Sequence, residues 1–421
     1  MMKMKVGEKF TRIDQVVAWR LCTGCGACVP ACPQHAISLV NIPDQGIRPM
    51  IDKSKCEQCG ECVNVCPGIE LSHQSFNSQT IPGLRQAWGP VLEVWEGYAT
   101  DSEIRYKGSS GGAATALALF CLEKENFSGV LHIGASPKTP LINVPVFSRN
   151  RADLLACTGS RYAPAAPCEK LRWIEESDSP CVFIGKPCDV VALRKSQAVN
   201  PMLDNKVALA ISIFCAGTPT TKGTYDLLEA LGVRPDQVKC LRYRGCGWPG
   251  ITTADIKGGN GQEYQMSYEE SWGGILSKYA QLRCRICPDS TGEFADISCG
   301  DPWYLEIEPD EPGQSLVLVR TERGQRMLRR AMEAGYVKLE RAKPEVLAAS
   351  QKALLNKRRN LWGRLLAMRI TLIPVPHFEG FLLFSNWRDL SVSEKTRSIA
   401  GTLKRIVQRR WTKPFSLLQT E

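Results

Sequence analysis

The sequence predicts an α/β protein in three parts: a small cysteine-rich module, a larger body of mixed sheet with flanking helices, and a basic helical tail. Three observations carry this. Two runs with the spacing C-x2-C-x2-C-x3-C-P stand 34 residues apart near the N-terminus, strand-like and helix-like stretches alternate from residue 91 to about 340, and the net positive charge is confined to residues 341–421. At 421 residues, 43% of them hydrophobic, the chain is long enough for about two to four domains with a substantial core. Its 19 cysteines depart from ordinary composition. A disulfide scaffold is small and secreted, whereas the opening MMKMKVGEKFTRIDQVV has neither an apolar core nor a cleavage site. The thiols are therefore expected in a reducing cytoplasm, free to bind metal. No uncharged apolar stretch of about 18 residues occurs, so no membrane-spanning helix is expected.

Cys22, Cys25, Cys28 and Cys32 form the first run, CTGCGACVPACP, and Cys56, Cys59, Cys62 and Cys66 the second, CEQCGECVNVCP. Three thiolates two residues apart wrap one face of a 4Fe–4S cube, and the fourth, displaced by the proline turn, reaches the other cube. The expected ligand sets are therefore crossed: Cys22, Cys25, Cys28 and Cys66 for one cluster, and Cys56, Cys59, Cys62 and Cys32 for the second. Gly24, Gly26, Ala27 and Gly60 are small enough to let backbone N–H groups approach the sulfurs. Two zinc ribbons would close with paired C-x2-C and leave this pattern unexplained. Residues 10–75 thus read as a bacterial-type two-cluster ferredoxin module. Such a module moves single electrons and makes no bonds, so the remaining chain must supply its purpose.

After a Pro/Gly-marked linker over Gln79–Pro90, VLEVWEGYAT reads as a strand and Ala113–Lys124 as a helix. The small residues Lys107–Gly112 then sit at that helix's N-terminus with free N–H groups. Such a nest binds anions, phosphates above all, with Ser109 or Ser110 adding a hydroxyl and Lys107 a charge; Gly111 and Gly112 permit close approach. A capped core helix whose glycines merely allow packing fits the same residues. Farther on, VFIGKP runs into Cys188 and ALAISIF into Cys215, and ligands gather at the carboxyl ends of strands in an open α/β sheet. With Cys284 and Cys287 of LRCRICPDS, these thiols could enclose a third cluster, a zinc ion, or nothing beyond their own packing. GCGWPG fits the dinucleotide pattern G-x-G-x-x-G, but the following ITTADIKGG alternates as a strand, which makes the glycines a turn. No residue declares itself catalytic. His35, His73, His132 and His377 read as packing or solvent-facing groups, and Asp296 and Asp301 as carboxylates of a turn or a positioning site.

Taken in order, KGSSGGAATAL, TGSRY, FIGKPCD, FCAG, RYRGCGWPG, CRICPD and ADISCGDPW resemble the coenzyme F420 hydrogenase/dehydrogenase beta-subunit family from Trp95 to about Glu340. A two-cluster ferredoxin module is a usual companion of that family. The resemblance implies an α/β catalytic body divided into 91–205 and 206–340, bearing FAD with an iron–sulfur cluster beside it. It favours a third 4Fe–4S cluster on Cys188, Cys215, Cys284 and Cys287. FAD contacts would come from Lys107, Ser109, Ser110, Gly111, Gly112, Ser160 and Tyr162. GCGWPG would be the family's own cofactor loop, with Trp248 stacking on a flat ring and Arg242 or Arg244 meeting a phosphate or carboxylate. Relatives act on coenzyme F420, on formate- or hydrogenase-linked partners, or, in a plant branch, on a chlorophyll hydroxymethyl group. Two departures stand out: Lys186 replaces a small polar residue, and Cys299 is an unexpected thiol that leaves the ligand set open to exchange. Cys246 has no implied role.

From Arg341 to Glu421 the chain carries 16 Lys/Arg against 5 Asp/Glu, a net of +11, while the whole chain is +10. KRRNLWGRLLAMRITLIP and TLKRIVQRRWTKPF are basic amphipathic stretches that suit an anionic membrane surface, an acidic partner, or simply solvent. Nucleic acid would need a binding fold that the sequence does not show. On this basis a chain ending near Arg341 should stay folded. Together these features describe a cytoplasmic iron–sulfur flavoprotein oxidoreductase, at most peripheral to a membrane. It would pass electrons between a ferredoxin or partner subunit and an organic substrate or F420-like hydride carrier. The alternative is a non-catalytic electron-carrier subunit of a larger redox complex.

Overall fold

The computed structural model describes residues 10–73, 79–259, 261–308 and 310–415. In the module, the helix Ile13–Ala18 buries Ile13, Val16 and Val17, one stripe at helical spacing. The strands Ile37–Ile42 (β1) and Gly46–Ile51 (β2) pair antiparallel, and Glu70–Ser72 (β3) comes after the second cysteine run. The stretch read as a linker is partly ordered: Pro82 opens a helix, Pro82–Trp88, which buries Leu84 and Trp88. Proline fits there because the first helical N–H has no partner to lose.

The body supplies Glu93–Ala99 (β4), Gly129–Ala135 (β5), Asn143–Ser148 (β6), Cys181–Gly185 (β7) and Val207–Ile213 (β8). Three further strands, Val238–Arg242 (β9), Thr252–Ile256 (β10) and Glu263–Met266 (β11), make a small antiparallel sheet. Ile297–Gly300 (β12), Ser315–Val319 (β13) and Val337–Arg341 (β14) complete the main sheet, whose order is β14-β4-β13-β12-β8-β7-β5-β6. β5, β7, β8 and β12 run parallel in sequence across its middle, and antiparallel strands flank them. This is the mixed sheet that the alternating pattern predicts. It crosses the division expected at residue 205, since β8 pairs with β7.

Alternation along each strand assigns its side chains to two layers. Leu209 and Ile211 of β8 face a core with the helix Ala113–Glu123, and Ala210 faces a second core with Leu193 of the helix Pro187–Val199; Val207 joins that second core because the register shifts between it and Leu209. The glycine-rich loop of Tyr243–Gly250 joins β9 to the antiparallel β10, so no helix starts there.

The tail departs most from expectation. Helices Leu361–Ile370, Leu383–Arg388 and Val392–Gln408 fold back on the module, Lys352–Arg359 buries Leu354 in a core of the body, and His377–Glu379 (β15) adds to β3 in parallel. Leu361, Leu365, Met368, Phe381, Ile406 and Trp411 share one core with Ile13, Val16, Cys22, Cys28, Cys32 and Cys66. Much of the apolar surface of the two basic stretches is therefore buried against the module, while Ile370, Leu372 and Val407 stay exposed. Arg358 is buried and bonds Glu293 at 2.7 Å and the Phe381 carbonyl at 2.9 Å. Among the described residues no helix is long and apolar enough to cross a membrane.

Candidate redox site

Two cavities mark the module. Cys22, Cys25, Cys28 and Cys66 line one, with Gly24, Gly26 and Ala27 between them; Cys32, Cys56, Cys59 and Cys62 line the other. These are the crossed sets that the spacing predicts. Backbone N–H groups reach the sulfurs, Gly24 to Cys22 and Gly68 to Cys66 at 3.4 Å, and Ala36 to Cys32 at 3.3 Å. Gly26 has φ +88°, and a Cβ there would meet the Glu169 amide nitrogen at 2.8 Å, so glycine is what lets the loop press against the body. Burial pushes the Cys25 thiol up to about 12, and Cys28 and Cys66 rise as well, with neighbouring thiolates adding to the effect. Such thiols ionise only against a compensating cation, which the irons of a cube supply. Among the described residues no group of three or more Cys, His, Asp or Glu side chains could hold a single metal ion.

Cys188, Cys215, Cys284 and Cys287 meet from three segments. Cys188 opens the helix Pro187–Val199 after β7, Cys215 comes after β8, and Cys284 and Cys287 belong to the short helix Leu282–Arg285 and its exit turn. Burial pushes the Cys215 thiol up to about 12, and Cys284 and Cys287 are among the charges that act on it. Cys188 in turn feels Cys215 and Cys287. Lys186 and Lys357 oppose this gathering of negative charge, and the Thr218 N–H reaches Cys284 Sγ at 3.3 Å. Cys299 is also buried, and burial lifts its thiol to about 12.

A cleft of about 280 Å³ opens at the carboxyl ends of the parallel strands, near the lower limit for ligand sites. Ser109, Ser110 and Gly112 line it with Ala113, Ala114 and Thr115 of the first helical turn. Ser160, Tyr162, Lys186, Cys215 and Arg244 line it as well, and Tyr268, Trp272 and Trp303 give it aromatic walls. Two members of the expected nest face elsewhere. Lys107 reaches outward to Glu103 at 2.8 Å, and Gly111 gives its N–H to Ser315 Oγ at 2.8 Å, packed so that a Cβ would meet Gly97 O and Ser315 N. Trp248 stands behind the wall, donating to Asp301 Oδ1 at 2.9 Å and stacking on Trp303 at 5.4 Å. Arg244 finds its carboxylate inside the protein: it grips Asp301 with two nitrogens, donates to the Pro249 carbonyl at 2.6 Å, and lies over the rings of Tyr268 and Trp303. Arg242 is engaged with Cys246 Sγ and Thr253, each at 2.8 Å. The loop thus shapes the cleft through a rigid internal network. Tyr268 and Trp272 went unnoticed in the sequence, where MSYEESW offers only two aromatics four residues apart.

Two of the four histidines are packing groups, His73 stacking on Phe294 and meeting Glu293 at 2.9 Å and His132 meeting Ser148 at 2.7 Å, while His35 and His377 are exposed. Asp296 is tied up by Arg194 and by the Ala210 N–H.

Residues 94–172 match the family described as coenzyme F420 hydrogenase/dehydrogenase, beta subunit N-term, and residues 179–345 its C terminus; residues 21–68 match the 4Fe-4S dicluster domain. The chain is 28% identical over 290 residues to the coenzyme F420 hydrogenase subunit beta of Methanococcus voltae, covering 66% of this chain and 95% of that protein. It is 26% identical to the F420-dependent formate dehydrogenase subunit beta of Methanocaldococcus jannaschii over 60% of this chain and 63% of the relative. In fold it is similar to a chain of the F420-reducing nickel–iron hydrogenase complex from Methanosarcina barkeri, with a TM-score of 0.52 and 24% identity, covering 66% of this chain and 94% of that one.

Proposed function

We propose a function for this chain, which belongs to the coenzyme F420 hydrogenase/dehydrogenase beta-subunit family: it is an iron–sulfur flavoprotein subunit that passes electrons between a redox partner and an organic substrate or F420-like hydride carrier. The observation that carries this is the position of Cys215, which stands among the four body thiols and also lines the cleft. One-electron chemistry at a cluster held there and two-electron chemistry in the cleft would share a wall. A flavin, when bound, supplies the conversion between a hydride's electron pair and the single electrons that clusters accept. The cleft's residues suit such a group. Ala114 and Thr115 present first-turn N–H groups and Ser109, Ser110 and Ser160 their polar groups to phosphate, while Tyr268, Trp272 and Trp303 offer flat apolar faces. Lys186, paired with Asp189 at 2.6 Å, sets a positive charge between the thiols and the cleft. The names of the relatives support hydrogenase or dehydrogenase subunits as partners. Exposed Arg397, Lys404, Arg409 and Arg410 leave a basic face for an acidic patch on such a subunit.

Ala114→Asp tests the cleft. A carboxylate in the first helical turn favours the helix itself, so the fold should hold, but it repels an incoming phosphate. The variant should keep its iron and its melting temperature and lose acid-releasable flavin. Flavin bound at the parental level in a stable variant would overturn the assignment.

A further inference from the structure

Two arginines, Arg48 and Arg283, are buried between the module and the body, each 2% exposed. No carboxylate forms an ion pair with either among the described residues. Arg48, on β2, donates to the Ile47 carbonyl at 2.7 Å and to Gln281 Oε1 at 2.8 Å. The thiols that act on its guanidinium are Cys22 and Cys284, and one terminal nitrogen lies beside Gly24 of the first cysteine run. Arg283 donates to the carbonyl of Pro67, the residue after Cys66, at 3.0 Å, and it acts on Cys287. Among the described residues its Nε and one terminal nitrogen have no hydrogen-bond partner, and its guanidinium lies over the Phe378 ring, 5.2 Å from the centroid. Each arginine therefore joins a ligand loop of the inner cavity to a thiol of the body set.

A buried, unpaired cation is strongly unfavourable unless negative charge is delivered to it. A thiolate-ligated 4Fe–4S cube carries net negative charge and gains one more unit when reduced, and nearby charge and hydrogen bonds to sulfur set its potential. Cubes on both sides would supply the counter-charge that these two side chains lack. We propose that Arg48 and Arg283 form a cationic bridge between the cluster of the inner cavity and the third cluster, raising the potential of both and keeping the two matched. The proposal rests on the third cluster put forward above. In the transfer it serves, one electron leaves one cluster, which is oxidised, and enters the other, which is reduced. No bond forms and no proton moves, because a guanidinium keeps its proton. The arginines act as positioning residues.

The test is an anaerobic redox titration of the full-length protein, followed by paramagnetic resonance of the reduced clusters, with iron counted in every sample. Arg48→Gln and Arg283→Gln should keep their iron and make both flanked clusters roughly tenfold harder to reduce, a shift of about 59 mV for one electron. The outer cluster should not move. Arg48→Lys and Arg283→Lys, which retain the charge, should stay close to the parent. Unmoved potentials in fully loaded Gln variants, or Lys variants that shift as far as the Gln variants, would overturn the bridge. If a Gln variant fails to hold iron, the Lys variant decides: iron and parental potential restored support the bridge, and iron lost again overturns it. The third cluster is judged separately, in the parent, where roughly eight irons in place of roughly twelve would remove it and the bridge with it.

Discussion

One repeated motif builds both cavities of the module, yet the two have opposite surroundings. In the inner cavity Cys22, Cys25, Cys28 and Cys66 are all buried, whereas in the outer one Cys56 and Cys62 are half-buried and Cys59 is exposed. The inner loops meet the body through the Cys168 N–H on the Cys25 carbonyl at 3.0 Å, and through Arg48 and Arg283. Thr11, Arg12, Glu57 and Gln58, all from the module, line the outer cavity. The repeat is symmetric and its context is not. Elements far along the chain, from Cys168 to Trp411, decide which cluster faces inward and which faces a partner.

The largest test of that asymmetry removes its source. A chain ending after residue 341 lacks Leu361, Leu365, Met368, Phe381, Ile406 and Trp411, the tail's share of the core that holds Cys22, Cys28 and Cys66. It should lose the inner cluster and become insoluble or protease-sensitive, contrary to the stable truncation that charge alone suggests. Iron content and limited proteolysis read the outcome, and a soluble truncation with full iron would show that the tail is incidental.

Arg358→Ala is narrower. It leaves Glu293 buried and deprived of one partner, which costs about 3–5 kcal/mol and should appear as a lower melting temperature. Burial pushes the Glu293 carboxyl up, but Arg358, His73 and Arg320 outweigh it and hold the group below the usual range. A carboxylate depressed in the fold stabilises above its unfolded value of about 4.3 and loses that contribution as pH falls through the folded value. The parent should therefore weaken in acid below about pH 4, and in Arg358→Ala, where the folded value moves back toward the unfolded one, that acid-dependent loss should shrink. A melting curve unchanged by the substitution would detach the tail from the body.

The smallest effect is one of order. On brief exposure to air the outer cluster, with Cys59 at the surface, should lose its resonance signal before the inner one. Equal rates would mean that the difference in burial does not protect.

The sequence made the crossed ligand sets legible because their spacing is local: three thiols on one loop and a fourth after a proline reach their cavities whatever surrounds them. The gathering of Cys188, Cys215 and the Cys284–Cys287 pair was legible in outline, since strand ends in an α/β sheet share one edge. The tail was not. A basic amphipathic stretch looks the same whether its apolar stripe meets lipid or the module, and only packing decides. Arg244 reads as a free cation until Asp301 is placed beside it, and Gly111 reads as part of a phosphate nest until Ser315 takes its N–H. Arg48 and Arg283 carry no signal in the sequence at all, because what distinguishes them is what fails to pair with them.

In the proposed function the body thiols hold a third cluster between the module and the cleft. Iron and acid-labile sulfide per chain, measured after anaerobic purification of the parent and of the Cys284→Ser/Cys287→Ser double variant, test it most directly. Roughly twelve irons falling to roughly eight, with the module's two resonance signals intact, is the predicted result. The same iron count in both proteins would contradict it.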